Sequence, residues 1–525
     1  MRRGKDLCRG VHVVRTSYRG MQSSIGQERQ GFGSFHSRDI EEMIYDLQPP
    51  HVFSIVSAST PEKVRDMISS ISASVGNGSS SSSSRISRDG VGDDDSKDLY
   101  GVDIRRSGLF GLENKWTFLN HGAFGATLVP LLEEAEMWRR RCESQPLRFY
   151  DRELLPMIAY STRKMANHLN CPVDELYPLP NVTTGLNAVI NGLDLQPDDV
   201  ICYLSLTYGS TKKIISEACE RNGAMAHMID LPLPILSKAH LVEMLRVSLI
   251  SLQGKSPKAI VIDQITSNTA LKLPIKEIST VCRAFGMKVI IDGAHALNME
   301  RVDIYKRNCS NGSTNDDSNE ELAVSDVADY WIGNCHKWLC APKGAAFMWC
   351  KKGLNIRPRV ISHGFVDGGS KMLSAFSWDG CRDYASLLTI PSTLLCWNGI
   401  LPESTSYNHR LMLKARDLFY QDWEIDTNTD VPCRDDELLA NSMCLVPLPS
   451  RLRSYQQLSN TSSVTRIVPT DAQAFQLQEL LHNRYRIEVP VKCLEGRLYV
   501  RISCHIYNYM QEYEHLSNVV QRIMG

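Results

Sequence analysis

Short apolar runs alternate with helix-length segments through the middle of the chain. The runs are Ile201–Leu204, Ala259–Ile262, Lys288–Ile291, Tyr330–Ile332 and Ala345–Trp349. They are continuously apolar rather than alternating, which predicts strands buried on both faces of a mostly parallel sheet covered by helices. Ligands of such sheets gather at the carboxyl ends of the strands. Ahead of these runs, Val129–Cys142 carries Leu131, Leu132, Ala135 and Trp138 on one face, so a helix is expected there. From about residue 390 the pattern changes to longer helices and a final strand pair, which predicts a second, smaller α/β lobe.

The first hundred residues do not read as a core. Thr60-Pro61-Glu62 has the cap, proline and acid that open a short helix. Ser79 to Ser84 is an unbroken serine run followed by Asp93-Asp94-Asp95, a composition expected of a linker. Residues 1–99 are therefore read as a low-complexity extension. Residues 100–145 are read as an arm and helix joining the small domain, 146–390 as a large domain and 391–525 as a small C-terminal domain. A polar stretch without periodicity, Asn308–Ser325, is expected to be a surface loop inserted into the large domain.

Composition narrows the classes. The chain has 525 residues, 43% apolar and 22% charged, with 58 basic and 59 acidic side chains and a formal net charge of −1. A balanced surface argues against binding nucleic acid or a membrane through bulk charge, and no apolar run is long enough for a transmembrane helix. The 16 cysteines are scattered and include no C-x-x-C pair, so neither a zinc ribbon nor a disulfide scaffold is indicated and no metal site is expected. Arg2, Arg3, Lys5, Arg9, Arg15 and Arg19 face only Asp6 at the amino end, a pattern shared by organelle transit peptides and by plain basic tails.

Four segments lie where strand ends should be. Asn181-Val182-Thr183-Thr184-Gly185-Leu186-Asn187 offers hydroxyls and a glycine at the opening of a helix, either an ordinary N-cap or a phosphate cup. Asp292-Gly293-Ala294-His295 follows an apolar strand. Asp292 reads either as a cap or as a carboxylate holding a proton on a heterocyclic nitrogen. Asn334-Cys335-His336-Lys337-Trp338-Leu339 puts a lysine between His and Trp, where partial burial would make it a competent amine nucleophile. Arg501, between Val500 and Ile502, reads either as a carboxylate fork or as half of a structural ion pair. Together these are the parts needed for pyridoxal phosphate chemistry.

With Phe118-Leu119-Asn120-His121-Gly122-Ala123-Phe124-Gly125, Ile361-Ser362-His363-Gly364 and Trp378-Asp379-Gly380-Cys381-Arg382-Asp383, the sequence over about residues 101–525 resembles the class V aminotransferase family. These are pyridoxal phosphate enzymes of fold type I. Within that family it looks closest to the isopenicillin N epimerase-like and plant-type L-cysteine desulfhydrase branch. The resemblance implies an α/β fold with a mostly parallel sheet in the large domain and a smaller C-terminal α/β domain, a homodimer, and bound pyridoxal 5'-phosphate. It implies that Lys337 carries the cofactor as a Schiff base, Asp292 protonates its ring nitrogen and His295 bonds the ring oxygen. Thr183 and Thr184, helped by His336, would hold the phosphate; Arg501 would take the substrate carboxylate and Asn120 would line the substrate side. Two departures stand out. Tyr208 occupies the stretch where many relatives stack a histidine on the cofactor. Cys381 stands where relatives often have a threonine that reaches the partner subunit's phosphate.

The branch implies a carbon–sulfur lyase that converts cysteine to sulfide, pyruvate and ammonia. The alternatives are an amino-acid epimerase, an aminotransferase, a cysteine desulfurase using Cys433, or a catalytically silent member. Cys335, Cys340 and Cys350 read as buried and inert. A small amino-acid substrate is expected, with neither nucleic acid nor membrane as partner, in the cytoplasm, a mitochondrion or a plastid.

Overall fold

The computed structural model describes residues 40–77, 100–307, 323–362, 372–398, 403–449 and 468–524. The basic opening, the serine run, the Asp93–Asp95 acids and His363-Gly364 lie outside them.

The strands in chain order are β1 (Thr117–Phe118), β2 (Leu176–Leu179), β3 (Asp199–Leu204), β4 (Met225–Ile229), β5 (Ser256–Asp263), β6 (Lys288–Asp292), β7 (Tyr330–Asn334), β8 (Ala346–Cys350), β9 (Met443–Pro447), β10 (Ile487–Glu488), β11 (Val491–Leu494) and β12 (Arg497–Ser503). Seven of them form one sheet in the order β2-β8-β7-β6-β5-β3-β4. The block from β4 to β7 is parallel, and β8 and β2 join its edge antiparallel. This is the α/β architecture expected from the continuous runs. Side chains alternate between two cores: Val289 and Ile291 enter one apolar cluster, and Ile290 enters the other with Leu186, Val189 and Ile215 of the covering helices.

The register sets Asp263 beside Asp292 at the carboxyl ends of β5 and β6 and Asp292 beside Ile332, so that Asn334, two residues on, stands just beyond them at the end of β7. The helix Val182–Asn191 comes down onto this end. It can approach so closely because residue 185 is glycine: a Cβ there would meet Leu179 at 2.7 Å and Ile332 at 2.8 Å. A second, antiparallel sheet, β11-β12-β9, is backed by the helices Glu403–Asp422, Asp471–Tyr485 and Met510–Met524 around Leu411, Phe419, Leu477 and Leu516. The parallel pair of β1 with β10 ties the segment before residue 120 to this smaller sheet.

Two expectations need correction. The first hundred residues do contribute core: Ile40, Met43, Ile44, Val52, Phe53, Val56, Val64 and Ile71 are buried in the main apolar cluster. The helix expected at Thr60 runs to Asn77 and packs on Ile390–Trp397 and Val129–Ser144. Polar ties fix the segment as well. The Ser57 hydroxyl donates to Glu134 at 2.6 Å, Arg163 donates to the carbonyls of Ile44 and Gln48, and Ser374 donates to Glu41. Within each helical segment the buried residues fall on one face, at spacings of three and four (Ile40, Met43, Ile44; Val52, Phe53, Val56) or seven (Val64, Ile71), a helical period that the low-complexity run next to it obscures. The second correction concerns the polar insert. Its end is ordered, since Val324–Val327 is a helical turn whose first amides bond to Asp303 and Ile304. Residues 308–322 lie outside the described residues.

Candidate active site

Lys337 follows β7 in a tight turn and points into the space over the ends of β5 and β6. Its backbone is gripped from the amino-terminal side. The His121 ring bonds the Lys337 carbonyl at 3.1 Å, and Gly125, at φ +72°, lies so close that a Cβ would sit 2.1 Å from the His336 carbonyl oxygen. Only glycine meets both demands. His121 in turn bonds the Tyr507 hydroxyl at 2.7 Å and stacks on His505, with Cys340 alongside. These buried His and Cys atoms lie close enough to suggest a metal, but hydrogen bonds to Tyr507 and to the Lys337 carbonyl already occupy both His121 nitrogens.

The electrostatics around Lys337 are unusual. Burial pushes its ammonium down to about 8, helped by Arg501, while Asp292 and Asp263 pull the other way. Asp292 is buried and accepts the amide of Ala294 at 3.0 Å. Burial raises its carboxyl above the usual range. Asp263 is pushed up to about 8 by burial and by the neighbouring Asp292, so together the two carboxylates favour holding a proton when no cation lies between them. His295 Nε2 lies 2.9 Å from the Lys337 amine, and burial keeps its ring uncharged. His336 is held down to about 4 by burial and Lys337, and its buried Nδ1 has no partner among the described residues.

Asn181 caps the Val182–Asn191 helix, its side chain accepting the Thr184 amide at 2.9 Å and the Thr184 hydroxyl at 3.1 Å. The Val182 amide is taken by Asn334 at 3.1 Å. Thr183 is exposed and Thr184 half-buried at this helix start. Tyr208 precedes the helix Gly209–Asn222 and donates its amide to Asp263; the residue is 44% exposed and near enough to Arg501 to raise the guanidinium's proton affinity.

Arg501, 3% exposed on β12, donates to the Ser267 carbonyl and hydroxyl and, at 3.0 Å, to Asn120 Oδ1. None of these acceptors is a carboxylate, and its buried Nε has no partner among the described residues. Burial brings the guanidinium down to about 10. The reading of Arg501 as half of a structural ion pair therefore finds no second half among the described residues. Asn120 is held from behind: its amide donates to Glu488 Oε1 at 3.1 Å, and Glu488 Oε2 bonds His482 at 2.9 Å. Asn120 thus acts on Arg501 through its side-chain carbonyl.

The fold thus brings Lys337, Asp292, His295, His336, Thr183, Thr184, Tyr208, Asn120 and Arg501 to one end of the large sheet. Cys381 is apart from this group, exposed and donating to the Tyr150 hydroxyl at 3.3 Å. Cys433 is no mobile loop thiol: it sits in a bridge to Ile235, donates to the Asp435 carbonyl at 3.4 Å, and burial pushes it up to about 11. The sequence did not point to Asp263, Ser267 or Glu488, and it gave Trp338 only as a neighbour of Lys337. An aspartate ending the apolar run Ala259–Ile262 was the available signal for Asp263, but Glu488 is tied to Asn120 only through tertiary structure.

A mostly parallel seven-stranded sheet with a lysine after its penultimate strand and a small antiparallel lobe supplying an arginine is the architecture of fold type I. Solved structures agree. A cystine C-S lyase, C-DES, solved with cysteine persulfide, superposes with TM-score 0.57 at 17% identity, covering 79% of this chain and 98% of that one. The cysteine desulfurase of Thermococcus onnurineus gives TM-score 0.58 at 14% identity, covering 80% and 97%. The curated relatives include a probable chloroplastic L-cysteine desulfhydrase of Arabidopsis thaliana, 27% identical over 430 residues, 77% of this chain and 82% of the relative. They also include the isopenicillin N epimerase of Amycolatopsis lactamdurans, 23% identical over 425 residues, 78% of this chain and 95% of the relative. No family model matches the chain. The chain is a homologue of L-cysteine desulfhydrases and isopenicillin N epimerases, built on the fold-type I scaffold.

Proposed function

We propose that the protein is a pyridoxal phosphate-dependent carbon–sulfur lyase that converts L-cysteine and water to sulfide, pyruvate and ammonia. The observation that carries an amino-acid substrate is Arg501, a buried guanidinium with no carboxylate partner among the described residues, in a site with a buried lysine. A substrate α-carboxylate supplies the missing countercharge. Similarity to several L-cysteine desulfhydrases favours elimination over the alternatives.

The residues fit the cofactor. The space has an amine nucleophile, a pair of strand-end carboxyls that favour holding a proton until a cation arrives, a helix start with hydroxyls, and buried polar atoms of His336, Asp263 and Arg501 that lack partners. When bound, pyridoxal phosphate supplies a ring that accepts the electron pair left when the Cα proton departs. Asp292 would hold the ring nitrogen's proton, and His295 would turn its Nε2 proton to the ring oxygen. The start of the Val182–Asn191 helix, with Thr183, Thr184 and His336, would hold the phosphate, and Tyr208 would cover the ring. Arg501, oriented by Asn120, would fix the substrate so that Cα faces the Lys337 amine, which removes the proton. Thiolate would leave from Cβ, and water would release pyruvate and ammonia.

Epimerisation is the second reading, supported by the two isopenicillin N epimerase relatives. Desulfuration is disfavoured by the anchored, high-pKa Cys433. The deciding experiment gives L-cysteine to purified protein with cofactor. Sulfide and pyruvate in equal amounts mean lyase, D-amino acid without sulfide means epimerase, and alanine with protein persulfide means desulfurase.

We also propose a homodimer. Because Cys381 is engaged by Tyr150 of its own chain, it is a poor candidate for a contact across that interface. A plastid location is consistent with the chloroplastic relative and with the basic residues 1–20. No helix among the described residues is long and apolar enough to cross a membrane.

A further inference from the structure

We infer that Trp338 is a positioning residue that favours the neutral form of the free Lys337 amine by fixing the tautomer of His295. The argument is one of donors and acceptors. An indole N–H can only donate, and Trp338 Nε1 lies 3.2 Å from His295 Nδ1. Nδ1 must therefore carry the lone pair. A doubly protonated ring is excluded, because it would set two N–H groups against each other. The single ring proton is on Nε2, which faces the Lys337 amine at 2.9 Å. The amine must then accept. An ammonium has no lone pair, so this geometry favours the neutral lysine.

The indole cannot easily turn away from this role. It sits in a small apolar cluster with Ile265, Ala270, Met299, Ala440 and Met443, with the His121 ring 4.8 Å from its own. Its backbone carbonyl is held by Asn298 at 3.0 Å. The control matters because of the charges that surround Lys337. Asp292 from β6 and Asp263 from β5 both favour an ammonium; Arg501 from β12 opposes it; His336 and His121, from the same turn and from the amino-terminal segment, are held uncharged by burial. The two carboxyls, even when they share a proton, still favour an ammonium on the lysine. Burial and the histidine N–H oppose them. Lys337 must be neutral to react with a carbonyl carbon or to take a Cα proton. Trp338, which touches neither group, prepares it for both.

The inference rests on Lys337 as the reactive lysine, but its test reads that lysine directly and is blind to which reaction follows. Full-length protein freed of cofactor with hydroxylamine is trace-acetylated with acetic anhydride between pH 6 and 11, and the yield at Lys337 is followed by peptide mass spectrometry. Trp338→Phe keeps an aromatic ring and drops the N–H. His295 can then offer Nε2 as an acceptor to an ammonium. The Lys337 midpoint should rise by about one to two units, at least tenfold less neutral amine at pH 7. In a His295→Leu background the same change should move nothing. An unshifted midpoint in Trp338→Phe with intact circular dichroism overturns the inference. A shift that persists without His295 also overturns it, since the indole would then act by packing. Should Trp338→Phe not fold, histidine nitrogen NMR of the unaltered protein decides: a proton on His295 Nδ1 refutes the assignment.

Discussion

Arg501→Leu separates a substrate clamp from a structural arginine, because the two roles move different observables. As a clamp, the guanidinium contributes on the order of 1.5–3 kcal/mol to holding a carboxylate, so KM for L-cysteine should rise about ten- to a hundredfold. The contact is made before and during the reaction, so kcat should fall much less. Stability should respond in another way. Burial brings this guanidinium from 12.5 down to about 10, a penalty on the charged form of about 3 kcal/mol that is fully present below pH 10. Leucine removes that penalty but leaves the Ser267 carbonyl and the Asn120 side-chain oxygen without their donor, which costs about 1–3 kcal/mol each. The effects nearly offset, and the melting temperature should stay within a few degrees. The assay is sulfide release against L-cysteine concentration, paired with a thermal melt. Cysteamine, which lacks the carboxylate, is the control and should be handled alike by both proteins. A large loss of thermal stability with unchanged KM would refute the reasoning and return Arg501 to a structural role.

Asp292→Asn should retain cofactor, as judged by its visible absorbance, while turnover falls by several orders of magnitude; a near-normal rate would make Asp292 a mere helix cap. Glu488→Gln removes one of the two acceptors that hold Asn120 and His482, so KM should rise several-fold with kcat close to the parent value, and unchanged KM would show Asn120 to be held without it. Glu134 is raised to about 7, above the ordinary 4.5, chiefly by burial. Its proton is held more tightly when folded, so the stability it contributes is full below pH 4.5 and lost as pH rises through about 7, a difference of about 3 kcal/mol. Urea unfolding at pH 5 and pH 8 should show that slope diminished in Glu134→Gln, and an identical slope would sink the assignment. Deletion of residues 1–77 should yield insoluble or strongly destabilised protein, because it uncovers the surface that Val52, Phe53 and Val64 cover and takes Ser57 from Glu134; a soluble, cofactor-binding truncation would show that the extension is dispensable.

The strand runs and the four chemistry-bearing segments were legible because their signals are local. A continuous apolar run ending in Asp292, or a lysine between His336 and Trp338, is visible within a few residues. Relations between distant segments were not. That Arg501 has no counterion among the described residues, that Asn120 reaches it by its carbonyl, and that Glu488 stands behind both depend on segments brought together only by folding. The burial of residues 40–71 was misjudged for a physical reason: composition averages over a window, and apolar residues spaced along one helical face amid serine and acid are diluted by it. Trp338 illustrates a third case. Its type suggested burial, but the direction of its single N–H became meaningful only beside the His295 ring.

The segment from Leu119 to Gly125 links the two lobes mechanically. Its start is stitched to the small sheet: the Leu119 amide bonds Glu488, the Leu119 carbonyl takes the Ser503 amide, and the Gly122 amide donates to the Ser503 hydroxyl. A few residues later His121 and Gly125 press on the backbone of Lys337 in the large lobe. A rotation of the small lobe toward a bound substrate would therefore pull Arg501 and the carbonyl of Lys337 together, like a lever with two loads. Arg501 on β12 and the turn that carries Lys337 would travel as a unit, so that under the proposed function lobe closure and alignment of these two groups become a single event.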